Sequence, residues 1–210
     1  MAKRRILSVQ NNEEKQITYA TYKSQLAKAI KYEFYLEAMM IEYGIMEDRM
    51  RSFIYHIGGL PSRMSIRIAG KQTKDNLKNI VSNYRTSEEK DNLGITNITG
   101  KEKIIRCVLR WSLDEDRHIN NDKYLDILYK QINERINAHE LLKLLDRIDD
   151  WCGFRNEVVH ALLNKSVTSL NIQLADQILI GKQLSEEISG YTEKIKYRNR
   201  VRRAVGMQTD

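Results

Sequence analysis

Proline is nearly missing from this chain: Pro61 is the only one in 210 residues, where average usage would supply about ten. Glycine is sparse too, at ten residues. Both residues punctuate turns, so their scarcity excludes the turn-dense pattern of a β-sandwich. Cysteine is limited to Cys107 and Cys152, far apart and in no CxxC pair. That excludes a zinc ribbon, a thioredoxin-like site and a disulfide-stapled miniprotein, and fits buried thiols in a reducing compartment. No apolar run reaches 18 residues, so no segment reads as membrane-spanning and no membrane partner is expected. The opening MAKRRILSVQNNEEK has the positive start of a signal peptide, but Asn11, Asn12 and Glu13 interrupt what would be its apolar region. The expected location is cytoplasmic.

What is present is charge. Charged residues make up 30% of the chain against 41% hydrophobic, which excludes disorder by low hydrophobicity. Thirty-five Lys and Arg against 28 Asp and Glu leave a net charge of +7, a balance that favours polyanionic partners such as RNA. The distribution is polarised. Residues 194–203 carry six cations (Lys194, Lys196, Arg198, Arg200, Arg202, Arg203) and no acid. Residues 63–78 carry five (Arg63, Arg67, Lys71, Lys74, Lys78) against Asp75 alone. Of these, Arg63, Arg67, Lys71, Lys74, Lys196, Arg198, Arg200, Arg202 and Arg203 are the candidate RNA contacts. Such contacts would weaken steeply with salt.

The pattern along the chain predicts one all-α domain over residues 1–210. Residues 1–12 form a basic arm, 61–100 an inserted loop and short-helix region, and 199–210 a basic tail. Residues 13–57 read as helical, with one apolar stripe (Leu26, Ile30, Phe34, Ala38, Ile41, Ile45) and a second one offset by one (Met46, Met50, Phe53, Ile57). Gly44 lies between the stripes and is the expected break or kink. Gly58-Gly59-Leu60-Pro61 ends this stretch. Residues 61–74 show weak period-2 alternation, strand-like or loop, and 86–100 are a turn-rich surface connection. Helices are expected at 77–84, 101–113, 122–148 and, after a break at 149–154 (DDWCGF), over the short segment RNEVVHALLNK. The stripe expected for 122–148 includes Leu125, Leu128, Ile132, Ile136, His139, Leu142 and Leu145. A last long helix over 168–198 points Leu170, Leu174, Ile178, Leu184, Ile188, Tyr191 and Ile195 inward. Helices of this length suit a bundle with elongated hairpins.

Among motifs, absences again come first. There is no phosphate-binding glycine loop, no GxGxxG after a strand, no HExxH and no GxSxG. The run DEDRH at 114–118 reads as a solvated cluster, and neither a metal nor a cofactor is expected. One segment combines the groups that phosphate chemistry uses: Arg155-Asn156-Glu157-Val158-Val159-His160, followed by Ala161. Arginine supplies a permanent charge and a planar donor fork matched to phosphate. Histidine takes and returns protons near neutral pH. On a helix Asn156 and His160 share a face, whereas Arg155 projects about 140° from His160. Arginine therefore joins the same pocket only from a helix end or with surface from another subunit. The same spacing recurs at Arg51–His56, where Phe53 belongs to the apolar stripe and packing is the simpler role.

RNEVVH resembles the R-x4–6-H motif of the HEPN superfamily, in which a polar residue commonly follows the arginine and a small one the histidine. The resemblance covers residues 151–163 as motif. As architecture it covers 13–57 and 101–198, with a long helix, an aromatic turn and a motif helix in that order. It implies an HEPN-like helical bundle and a metal-independent endoribonuclease, assembled as a homodimer with one composite site across the two-fold axis. It further implies that His160 serves as acid or base on the 2′-OH or the leaving 5′-oxygen, that Arg155 stabilises the phosphorane, and that Asn156 orients the histidine or phosphate. The product would be a 2′,3′-cyclic phosphate. Family members often add an acid from an early helix, and Glu42, Glu47 and Asp48 are the candidates here. The implied setting is defence, a toxin–antitoxin pair or a stress response, with an antitoxin or regulatory protein as a further partner. Leu162 stands where one toxin subgroup has a tyrosine, which argues against control by nucleotidylation at that position.

Plainer readings stand beside this one. Arg155 capping against Asp149 or Asp150 and His160 on a helix face would make a structural pair. His139 reads as a partly buried core residue, His118 as a surface residue beside acids, and Trp111 and Trp151 as core anchors. Tyr19, Tyr22, Tyr32, Tyr35 and Tyr43 follow helical spacing and are expected to pack. The alternative function is a non-catalytic helical module that binds RNA or a protein partner.

Overall fold

The computed structural model describes residues 12–62, 65–68, 71–87, 97–117, 122–161, 164 and 166–196. Among these are seven helices and one short hairpin. The elements are α1 (Asn12–Lys31), α2 (Tyr35–His56), β1 (Gly59–Ser62), β2 (Ser65–Ile68), α3 (Lys71–Tyr84), α4 (Ile98–Leu113), α5 (Lys123–Arg135), α6 (Ala138–Ala161) and α7 (Val167–Lys196). Of residues 61–74, expected as strand or loop, 61–62 and 65–68 belong to a two-stranded antiparallel hairpin, with Gly59 opposite Ile68 and Ser62 opposite Ser65, while 71–74 are the first turn of α3. The hairpin starts at Gly59, within the Gly58–Pro61 segment expected to end the first helical stretch. The last segment assigned to the 61–100 insertion is the first turn of α4. The other elements among the described residues are all helices, as the scarcity of proline and glycine leads one to expect.

Three breaks fall elsewhere than expected, each for a local reason. The first stretch divides at Tyr32-Glu33-Phe34, not at Gly44, where α2 continues unbroken. There Glu33 takes a positive φ of 61°, the Phe34 amide donates to the Ala29 carbonyl (2.8 Å), and the Glu33 amide to the Ile30 carbonyl (3.2 Å). This is a Schellman closure with glutamate in the left-handed position usually held by glycine. The turn resets the helical phase, so Phe34 is 60% exposed instead of extending the core stripe.

Residues 122–148 are not one helix. α5 ends at Arg135, Asn137 accepts the Glu140 amide through its side chain (3.2 Å), and α6 begins. The new start shifts the buried stripe to Ala138, Leu141, Leu144, Leu145 and Ile148, leaving His139 exposed and not in the core. Finally, α6 runs straight through Asp149–Phe154, where a break was expected, because Gly153 sits on an exposed face with open space where a Cβ would be.

Packing centres on α2 and α4. α4 is buried almost all round (Ile98, Ile104, Ile105, Cys107, Val108, Leu109, Trp111) and meets α2, α3, α5 and α6. α2 lies parallel to α7, since Glu42 meets Gly181 while, further along both, the Thr192 hydroxyl donates to the Arg49 carbonyl (3.1 Å). α6 runs antiparallel to α7: Trp151 Nε1 donates to the Gln177 carbonyl (2.9 Å), and Arg147 pairs with Glu187 (3.0 Å). Asp122 caps α5 by accepting the Tyr124 amide (2.8 Å), and its other oxygen accepts from Asn76 of α3 (2.8 Å). Trp111 and Trp151 are both core residues, each 2% exposed. No helix among the described residues is long and apolar enough to cross a membrane.

Candidate functional site

α6 carries both the core anchor and the motif. Its inward face continues from Ile148 through Trp151 and Cys152 to Val158. Its outward face presents Asp146, Asp149, Asp150, Gly153, Asn156, Glu157 and His160. The segment Arg155–His160 therefore occupies the last two turns of a long helix and does not open a helix of its own.

Arg155 follows Trp151 by one turn and is half-buried against α2. Its guanidinium carbon lies 4.6 Å from the centre of the Tyr43 ring. Nη1 donates to Asn156 Oδ1 (3.0 Å), and Nη2 points to Met40 Sδ (3.2 Å). Among the described residues, Nε is buried without a partner and no carboxylate pairs with this arginine. His160 lies about 140° round the helix from Arg155 and about 180° from Trp151, and is exposed. One chain thus brings Arg155 and Asn156 together and holds His160 on the solvent side. Because the helix is unbroken, the helix-end route to a joint pocket is closed, and convergence needs a second surface.

The three candidate acids have three different surroundings. Glu47 pairs with Lys101 Nζ (2.8 Å), which also donates to the Asn97 carbonyl (3.3 Å). Asp48 ties α1 to α2, accepting from the Tyr19 hydroxyl (2.5 Å) and pairing with Lys15 (3.1 Å) and Arg51. Burial alone would raise the Asp48 pKa, but the Tyr19 hydrogen bond and the two cations hold it below the ordinary range. Glu42 is fully buried between α2 and α7, and neither carboxyl oxygen has a partner among the described residues. Burial pushes its pKa up to about 9 against the pull of Lys182. Of the three, Glu47 shares a neighbour with Arg155. The Tyr43 phenol is raised first by burial and then by the Glu47 charge, while the Ile98 amide and Arg155 act in the opposite direction.

The second arginine–histidine pair forms no joint pocket. Arg51 is exposed and pairs with Asp48, while His56 is buried at the end of α2 with its ring 5.5 Å from that of Tyr55. Of the candidate RNA contacts, Lys196 ends α7 beside Glu193 (4.0 Å). Arg67 lies in β2, and Lys71 and Lys74 in the first turns of α3. Arg63, Arg198, Arg200, Arg202 and Arg203 lie outside the described residues, as do His118, Leu162, the arm over 1–11 and the tail over 199–210.

Several polar groups beside the motif escaped the sequence reading. Tyr43, expected only to pack, and Met40, which no sequence pattern singles out, both contact Arg155. Lys101 and Glu102 are buried charges on α4. Glu102 pairs with Arg106 (2.5 Å), and Arg106 reaches Asp146 of α6 (2.6 Å). Burial raises Glu102 to about 7 even with that arginine beside it, Asp149 and Asp146 adding to the rise. Cys152 is pushed up to about 12 by burial and by Glu102 and Asp149, so it is a protonated core thiol. The signal for Lys101 and Glu102 was their place within the helical repeat of Ile98, Ile105 and Val108. Among the described residues, no three His, Cys, Asp or Glu side chains gather as a metal ion would require.

No protein-family model, no curated protein and no solved structure matches this chain.

Proposed function

We propose that the chain is an HEPN-like, metal-independent endoribonuclease whose site is completed by a second copy. The observation that carries this reading is Arg155: a half-buried guanidinium, not neutralised by any described carboxylate, bonded to an exposed asparagine one turn from an exposed histidine. An arginine in that state is an anion receptor. In the proposed reaction His160 removes the proton from an RNA 2′-OH as that oxygen bonds to phosphorus. The P–O5′ bond breaks, and the 5′-oxygen leaves with a proton from solvent water. Arg155 and Asn156 hold the non-bridging oxygens, and a 2′,3′-cyclic phosphate remains. Single-stranded or looped RNA suits this in-line attack because its backbone can be splayed. Glu47, among the candidate acids, is the one sharing a neighbour with Arg155. The setting that fits is a cytoplasmic toxin, defence or stress-response enzyme held by an antitoxin or regulatory protein, with the basic segments contacting RNA.

The test is RNA cleavage in the presence of EDTA. His160→Ala and Arg155→Ala are each expected to lower cleavage by about 10²-fold or more, the scale of a lost acid–base group, with circular dichroism unchanged. EDTA-sensitive cleavage, or full activity of the His160 variant, overturns the reading.

A second reading is favoured by one specific feature. The face that presents Asn156 and His160 also presents Asp149, Asp150 and Glu157, acids that repel a phosphate backbone. On this reading the chain is a non-catalytic helical module, and α6 meets a protein. It expects no RNA turnover and indifference of partner binding to His160→Ala.

A further inference from the structure

We infer that Tyr43 is the positioning residue that aims Arg155, an inference that rests on the ribonuclease reading of the same site. A surface arginine ordinarily pairs with whatever carboxylate it can reach, and the pairing cancels the charge a substrate phosphate would use. Here that outcome is prevented on both sides. Within α6, the positions three and four residues from Arg155 are Trp151, Cys152, Val158 and Val159, so no carboxylate lies at helical pairing distance. Across the seam on α2, the carboxylate one turn beyond Tyr43 is Glu47, and Lys101 holds it at 2.8 Å. What meets the guanidinium instead is the face of a tyrosine, with Met40 at its edge.

An aromatic face attracts a cation through its quadrupole and fixes its place without neutralising it. Tyr43 sits half-buried on α2, a helix packed against α4 and α7. The ring that meets Arg155 is thus carried on a core helix, while Nη1 turns to Asn156 and the exposed end of α6. Removing the ring while keeping the helix should leave Arg155 charged and misdirected, and displacement of a positioned group by an ångström can cost about 10²-fold in rate.

The test compares wild type, Tyr43→Phe, Tyr43→Leu, Tyr43→Met and Arg155→Ala. Cleavage of a short fluorophore-labelled single-stranded RNA is followed under EDTA, and the Arg155 Nε–H signal is followed by NMR. Tyr43→Phe keeps the face and is expected to match wild type in both measurements. Tyr43→Leu is expected to lower kcat by about 10- to 100-fold and to move the Nε–H signal out of its ring-shifted position. If Tyr43→Leu loses helical signal, Tyr43→Met, which fills the volume without a ring, is read in its place. A ring-less variant that cleaves like wild type, or an Nε–H signal that does not move, overturns the role of Tyr43 while Arg155→Ala still reports on the reaction. If wild type and Arg155→Ala leave the RNA equally intact, the ribonuclease reading itself falls, and the role of Tyr43 falls with it.

Discussion

At the scale of the residue, Glu42 is the anomaly of the core. It occupies a position that the repeat Ala38, Met39, Met46, Met50, Phe53 reserves for an apolar side chain, and neither of its oxygens has a partner among the described residues. A buried carboxyl in that state keeps its proton. Its folded pKa of about 9 lies above the ordinary glutamate value of 4.5, so between those values the folded chain holds a proton that the unfolded chain has released. Stability therefore falls as pH rises through that window, by at most about 1.4 kcal/mol per pH unit. Glu102 adds a slope of the same sign that ends near its folded pKa of about 7. Urea denaturation from pH 7 to 8.5 isolates Glu42: wild type is expected to lose stability with rising pH, and Glu42→Gln to stay flat. A wild-type midpoint independent of pH over that range contradicts the burial of an unpaired carboxyl. The anomaly was legible in outline, because an acid in phase with an apolar stripe signals a buried charge, as Lys101 and Glu102 do on α4. Which of these charges would be partnered was not legible, because partners such as Lys101 for Glu47 come from helices distant in sequence.

At the scale of the element, the helices were more legible than their ends. Of the α7 positions that periodicity points inward, Leu170, Leu174, Ile178, Leu184, Ile188 and Ile195 are buried and Tyr191 is half-buried, because one uninterrupted helix preserves its phase. Boundaries failed where no proline or glycine marks them. Glu33 stops α1 through backbone hydrogen bonds alone, and Asn137 restarts the chain as a cap between two apolar runs whose spacing happens to join. Conversely Gly44 and Gly153 look like breaks and are not, since neither meets a neighbour and each stays helical. The left-handed conformation at Glu33 costs a side-chain-bearing residue about 1–2 kcal/mol, and this glutamate is exposed. Glu33→Gly is accordingly expected to stabilise the chain by about 1 kcal/mol, a rise in Tm of about 2–4 °C for a chain of this size. A fall in Tm on calorimetry would mean that the Glu33 side chain does something the turn does not explain.

At the scale of the whole molecule, the largely helical architecture of the described residues agrees with the composition, and the candidate motif residues stand out by their types and order. Their arrangement was not, because it depends on whether α6 breaks before Arg155. The unbroken helix separates Arg155 from His160 within one chain, so the ribonuclease reading requires the pair to be made between chains. Two inactive variants then have a joint consequence. A dimer of one Arg155→Ala chain and one His160→Ala chain still holds one intact arginine and one intact histidine in opposite copies. Mixing the two after subunit exchange is expected to restore measurable cleavage that neither variant shows alone. Continued inactivity of the exchanged mixture places both groups on the same chain and removes the composite site.

The continuity of α6 reaches beyond the site. A helix of this length is a shaft about 36 Å long, and Arg147, Trp151 and Arg155 seat it against its neighbours at successive turns. No hinge residue interrupts it between Asn137 and the motif. Torque applied at its first turn, where Glu140 and Lys143 form an exposed pair, is carried to the far end instead of being absorbed on the way. Rotation of the shaft by a few degrees swings the imidazole and the guanidinium in opposite directions, so a molecule gripping the Ala138 end would tune the distant end without touching it.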